Sequence, residues 1–213
     1  LAEVGAMLYM DEGIQVQTST EGGLFKGLKR ALTGEGFFIT NFVNGGKDRQ
    51  CAAFAAPYPG RVVPIDLDIF QGGILCQKDA FLCAARGTEI DLAFTKRLRS
   101  GLLGGEGFIL QRLQGDGLAF IHAGGTLIER DLKAGEVLKV DTGCLAALSR
   151  GVDYDIQFVG GFKNALLGGE GLFLARLKGP GRVYIQSLPL SRLADRIVEV
   201  EDIRSLRAGF QSD

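Results

Sequence analysis

A glycine-rich phrase occurs three times in this chain of 213 residues. Its copies read ALTGEGFF at 31–38, GLLGGEGF at 101–108 and ALLGGEGL at 165–172. The central glutamates Glu35, Glu106 and Glu170 are separated by 71 and 64 residues. Self-similarity at a nearly fixed spacing is the sequence signature of a repeat architecture. The chain is therefore expected to contain three copies of one structural unit.

Each expected copy consists of short strands. The stretch VDYDIQF at 152–158 alternates apolar and polar residues, which indicates a strand with one exposed face. The strand after each GEG triplet begins with three apolar residues, which is typical of a strand covered on both faces. The pattern favours a helix only near Asp195–Ala208.

One such copy would leave open sheet edges, and three stacked copies would cover one another's edges. The sequence therefore predicts an all-β fold, in which three tandem β-repeats form a prism or a helix-like barrel. The predicted boundaries are repeat 1 at 1–70, repeat 2 at 71–134, repeat 3 at 135–198 and a tail at 199–213 with a short helix. Repeat 1 lacks the leading strand of the other two and carries a loop insertion.

The charge balance limits the partners of the chain. Lysine and arginine number 24 and aspartate and glutamate 25, so the net charge of −1 gives no general attraction to nucleic acid. No apolar run approaches the roughly 18 residues of a membrane helix. Three of the four cysteines lie in apolar runs and none forms a CxxC pair, which predicts reduced, buried thiols and a cytoplasmic location. The cysteines are Cys51, Cys76, Cys83 and Cys144.

The sequence contains no catalytic or metal-binding pattern. His122 is the single histidine, and it cannot supply the several converging histidines that such a metal site requires. No GxSxG surrounds a serine, and no cysteine has an activating sequence context. The sequence therefore predicts no catalytic residue, no cofactor and no metal ligand.

The GEG triplets have two interpretations. Glycine-rich loops cradle phosphate when they follow a strand and open a helix. These triplets precede a strand, and their glutamate would repel an anion, which favours a structural turn in which glycine permits positive φ. The predicted turn residues are Gly34, Glu35, Gly36, Gly105, Glu106, Gly107, Gly169, Glu170 and Gly171.

The segments before the triplets mix basic and apolar residues. In one interpretation their leucines close the ends of the core and their basic side chains are solvated. In the other, equivalent loops emerge on one face and contact a partner protein or a membrane surface. The candidate contact residues are Lys26, Lys29, Arg30, Lys96, Arg97, Arg99 and Lys163.

Three stretches resemble the altered-inheritance-of-mitochondria family, whose bacterial members form a domain of unknown function. They are EVGAMLYM at 3–10, PYPGRVVPIDL at 57–67 and the recurring GLLGGEG. The resemblance implies short double-stranded β-helix units, similar to the tryptophan-RNA-binding attenuator protein. It also implies three units per subunit and assembly into trimers, and it brings no established catalytic residues.

The predicted function is a non-enzymatic, homotrimeric scaffold or binding module in the cytoplasm. Apolar strands such as 37–42 and 108–113 are expected to lie partly between subunits. We expect the protein to bind further copies of itself and, in addition, a partner protein or the periphery of a membrane. Nucleic-acid binding is suggested only by the analogy of fold. The alternative is a small-molecule-binding barrel or an enzyme with a site between repeats, which a buried polar cavity would favour.

Overall fold

The structure, a computed structural model, describes residues 1–18, 39–70, 73–96, 108–159 and 173–209. In these residues strands dominate, and the predicted all-β class is confirmed. The chain divides into two compact units. Unit 1 comprises Leu1–Pro57, Val62–Thr95 and Ile109–His122, and unit 2 comprises Tyr58–Arg61, Lys96–Phe108 and Ala123–Asp213. The predicted repeat boundaries stay predictions.

Unit 1 consists mainly of short antiparallel strands. The strands that lie wholly or mostly in it are β1 (Ala2–Glu3), β2 (Met7–Met10), β3 (Ile14–Thr18), β4 (Ile39–Asn44), β5 (Ala52–Phe54), β6 (Gly60–Asp66), β7 (Ile74–Gln77), β8 (Phe81–Ala84), β9 (Glu89–Lys96), β10 (Phe108–Gln114) and β11 (Leu118–Gly124). A 3₁₀ turn at Lys78–Ala80 joins β7 to β8.

The strand order of unit 1 brings distant segments together. β4 lies between β1 and β3, and β10 lies between β7 and β9. β8 pairs with β11, and β2 pairs with β5 in a separate two-stranded sheet. The register of β2 and β5 shifts between Met7 and Tyr9, so Leu8 is the extra residue of a bulge.

Unit 2 continues the antiparallel pattern and ends in a helix. Its elements are β12 (Leu127–Leu132), β13 (Val137–Asp141), β14 (Leu145–Ser149), β15 (Asp153–Phe158), β16 (Phe173–Lys178), β17 (Gly181–Gln186) and α1 (Leu190–Gly209). β16 lies between β13 and β15, and β17 lies between β12 and β14. A 3₁₀ turn at Thr142–Cys144 joins β13 to β14. The helix contains the predicted 195–208 segment and begins five residues earlier.

The burial of individual strands follows the sequence pattern in two places and departs from it in one. On β15, Ile156 is buried and Asp153 and Asp155 are exposed, as alternation predicts. On β10, Phe108 is 4% exposed and Leu110 is fully buried. β9 departs from the pattern, because its apolar Leu92 is 43% exposed. The strand lies beside β10 and has no second strand neighbour among the described residues.

The burial of β10 corrects one expectation about assembly. Its apolar residues Phe108, Ile109, Leu110 and Leu113 are covered by the chain itself. They are therefore not available to a second subunit, and an assembly surface has to be sought elsewhere. The other expected segment, 37–42, lies partly outside the described residues.

Candidate functional site

Most residues that the sequence singled out lie outside the part of the chain that the structure describes. This holds for the three GEG triplets and for the basic residues Lys26, Lys29, Arg30, Arg97, Arg99 and Lys163. Lys96 is the last residue of β9. The proposed roles of these residues stay predictions.

The single histidine and the four cysteines differ in how far they are buried. His122 lies on β11 and is 1% exposed. All four cysteines are free thiols; Cys76 and Cys144 are buried, Cys83 is half-buried and Cys51 is exposed. Burial, reinforced by the charge of Glu3, raises the pKa of the Cys76 thiol and keeps it protonated. Among the described residues, no three His, Cys, Asp or Glu side chains are grouped to hold a metal ion.

One carboxyl group titrates near neutrality. Glu3 ends β1, and its pKa is raised to about 7, first by burial and then by the negative charge of Asp79. Lys78 opposes this shift and lies 3.9 Å from the Asp79 carboxylate. A carboxyl group of this pKa exchanges its proton at physiological pH. This pKa could not be predicted from the sequence, because it arises from tertiary burial and from charged residues that lie about 75 positions away along the chain.

The strongest ion pair of the described residues lies on the surface of unit 2. Arg182 on β17 donates from Nε and Nη2 to the two carboxylate oxygens of Asp131 on β12, at 2.7 and 2.9 Å. This two-pronged geometry raises the pKa of Arg182 and lowers that of Asp131. The two residues are also cross-strand partners in the ladder between β12 and β17, so the ion pair adds to a register that the backbone already forms.

The most prominent exposed apolar surface of the described residues lies in unit 1. We call it the β2 patch: Val4, Met7, Leu8, Tyr9 and Met10, which are 60%, 42%, 63%, 57% and 37% exposed. Four successive exposed side chains mean that neither face of β2 is covered. Taking roughly 200 Å² for each large side chain, the patch exposes about 500 Å². The largest patch of a typical monomer is ~300–600 Å² and is often functional.

A second apolar surface lies on α1. Leu193 N donates to Pro189 O within the first turn, and Arg192 Nη2 lies 3.3 Å from Asp141 Oδ2 at the end of β13, which links this turn to the strands of unit 2. Further along, Ile197 and Val200 are 59% and 50% exposed. No helix among the described residues has both the length and the hydropathy that crossing a membrane requires.

The antiparallel strands define an all-β protein, and the exposed apolar side chains of β2 and α1 are its prominent surface features. The model of the mitochondrial biogenesis AIM24 family matches residues 1–188, and the chain belongs to that family.

Two relatives come from Streptococcus pyogenes. A protein of serotype M6, described as uncharacterized, is 28% identical over 198 residues, which cover 89% of this chain and 77% of the relative. A crystal structure from a structural genomics consortium has a TM-score of 0.74 and 26% identity, and the match covers 93% of this chain and 88% of that one. Neither name assigns an activity.

Proposed function

We propose that this protein is a non-enzymatic, homotrimeric scaffold built from three tandem β-repeats. The observation that carries the proposal is the β2 patch, a group of five large apolar side chains on and just before β2 that stay exposed, on both faces of the strand, in the described part of the chain. Cys76 and Cys144 are buried and form no disulfide, which supports a reducing, cytoplasmic setting. The family resemblance supports an assembly of three.

The strand order supports the three repeats. The first, fourth and third strands of each predicted repeat are neighbours: β1–β4–β3, β7–β10–β9 and β13–β16–β15. The second and fifth strands pair in each: β2 with β5, β8 with β11 and β14 with β17. A 3₁₀ turn follows the first strand in the second and third repeats. Such recurrence is expected when one unit is copied, as in prism folds of the attenuator type.

The β2 patch suits contact between copies of the chain. β2 has one strand neighbour, β5, among the described residues, and a two-stranded sheet alone is marginally stable in water. The strand carries no lysine and no proline, residues with which edge strands commonly prevent association. Summed over both faces of the strand, its exposed area is about 500 Å², whereas each partner contributes about 800 Å² to a stable interface.

The test places a charge in the middle of the patch. Leu8→Lys changes a side chain that is 63% exposed, so the folded subunit should tolerate it, whereas an apolar interface should not. Ile69→Lys is the matched control, because Ile69 is 72% exposed and lies outside the patch. We expect light scattering to give a trimer for the unmodified protein and for Ile69→Lys, and a monomer for Leu8→Lys. If the Leu8→Lys variant is trimeric and has a normal circular dichroism spectrum, the β2 patch does not lie in the interface.

A further inference from the structure

The six-stranded sheet that contains β8 shows which strand lies beside the second strand of a predicted repeat. β8 lies between β11, the fifth strand of its own repeat, and β1, the first strand of the preceding repeat. The strands β1 and β8 are antiparallel, and Ala84 N donates to Leu1 O at 2.8 Å. In this sheet a first strand therefore provides the second neighbour of a second strand.

β2 holds the same place in its repeat but has no such neighbour among the described residues. Met7 and Phe81 both stand directly before a bulge in the pairing with the fifth strand. Leu8 and Leu82 are the extra residues of these two bulges. Phe81 and Leu82 are each 2% exposed, whereas Met7 is 42% and Leu8 63% exposed. We therefore expect a first strand to cover the β2 patch.

β13 is a first strand with an open edge. It stands at the end of the sheet β13–β16–β15, and β16 is its one strand neighbour among the described residues. Val137 and Lys139 on this strand are exposed. The unpaired N–H and C=O groups of such an edge are a template for pairing with another strand.

We propose that β2 of one copy pairs with the open edge of β13 of the next copy, and that three such contacts close the trimer into a ring. The inference rests on the proposed trimer and names the strand that the β2 patch contacts. A head-to-tail contact uses two different surfaces of each chain, and it closes a ring when a threefold rotation relates each copy to the next. Each contact joins three strands of one copy to β2 and β5 of the next, so the two-stranded sheet gains the further strands that its stability requires.

The pairing of β1 with β8 gives the register of the proposed contact. Lys139 and Leu1 hold the same place in their strands, since each precedes the residue whose cross-strand partner lies five positions after the glutamate of a GEG triplet. Met10 and Ala84 are each the last residue of their strand, three positions after the start of the bulge. The hydrogen-bonded pair Leu1–Ala84 therefore places Lys139 opposite Met10. Lys139 then lies next to Asp11, which follows β2, and opposite charges on paired strands favour the contact.

The experiment places a cysteine on each side of this predicted pair. Directly opposite residues of a hydrogen-bonded antiparallel pair have Cα atoms about 5.5 Å apart, which suits a disulfide. Met10→Cys and Lys139→Cys are combined in the full chain with Cys51→Ser, which removes the exposed native thiol. The matched control combines Val16→Cys with Lys139→Cys and Cys51→Ser, since Val16 is 50% exposed and lies on β3. Each protein is mildly oxidised and analysed on a denaturing gel without reductant.

We expect the Met10→Cys/Lys139→Cys protein to migrate as three covalently joined chains, because each of the three contacts carries one disulfide. The control should migrate as a single chain. A disulfide within one chain consumes both introduced thiols and leaves the mass of a single chain. That result, the absence of a disulfide, or equal crosslinking of the control, in a protein that light scattering shows to be trimeric, overturns this inference and leaves the proposed function standing. A monomeric unmodified protein overturns both.

Discussion

Gln186 joins three separate parts of unit 2, and its replacement gives a sharp test of the fold. The residue ends β17 and is 2% exposed. Its Oε1 accepts from Gly124 N at 2.9 Å, and its Nε2 donates to Gly143 O at 2.9 Å. One amide thus satisfies the end of β11 and the 3₁₀ turn before β14, which lie 62 and 43 residues away in sequence.

Gln186→Leu keeps the approximate volume of the side chain and removes both hydrogen bonds. Each backbone group left buried without a partner costs about 1–3 kcal/mol. The added apolar burial offsets part of that cost, at about 0.8 kcal/mol per buried methylene group. We therefore expect a loss of about 2–3 kcal/mol in the free energy of unfolding, the combined outcome of these two effects. For a chain of this size, that corresponds to a fall of roughly 4–12 °C in Tm.

The assay is thermal and urea unfolding followed by circular dichroism. Gln157→Leu is the matched control, because the Gln157 amide donates only to the exposed Asp155 carboxylate at 3.3 Å. Such surface changes usually stay within about 0.5 kcal/mol. If Gln186→Leu and Gln157→Leu shift the midpoint equally, the two buried hydrogen bonds do not hold the unit together as described.

Two further predictions concern Glu3 and a pair of glycines with positive φ. Because burial raises the pKa of Glu3 from 4.5 to about 7, the folded state holds a proton that the unfolded state releases, so this residue reduces stability as pH rises from 4.5 to 7. Glu3→Gln should therefore melt higher than the unmodified protein at pH 8 and equally at pH 4; a lower Tm at pH 8 would contradict this. Gly73 and Gly135 both have positive φ, but a Cβ at Gly73 would collide with Leu113 O, whereas the space at Gly135 is open. Gly135→Ala should cost about 1 kcal/mol and Gly73→Ala clearly more, as urea unfolding would measure; equal costs would refute the close approach.

The sequence predicted the fold class because strand patterns depend on local alternation. Ile156 and its polar neighbours on β15 show that alternation in their burial, and the continuous apolar run of β10 is covered on both faces. These features follow from the period of two along a strand. They do not depend on which strand lies beside which.

The β2 patch could not be found in this way. Met7–Met10 is a run of four large apolar residues, and such a run ordinarily indicates a buried strand. Its exposure follows from tertiary pairing, since β5 is its one strand neighbour in the described residues. The elevated pKa of Glu3 and the bridging amide of Gln186 were hidden for the same reason, because their partners are distant in sequence.

The mass of the unmodified protein in solution tests the central claim most directly. One chain has a mass of 22.8 kDa. Light scattering coupled to size exclusion, at several micromolar concentrations, should give three times that value at every concentration, because a cyclic assembly closes at a fixed number of subunits. A mass of 22.8 kDa across the same range would show that the β2 patch remains exposed in a monomer and would contradict the proposed scaffold.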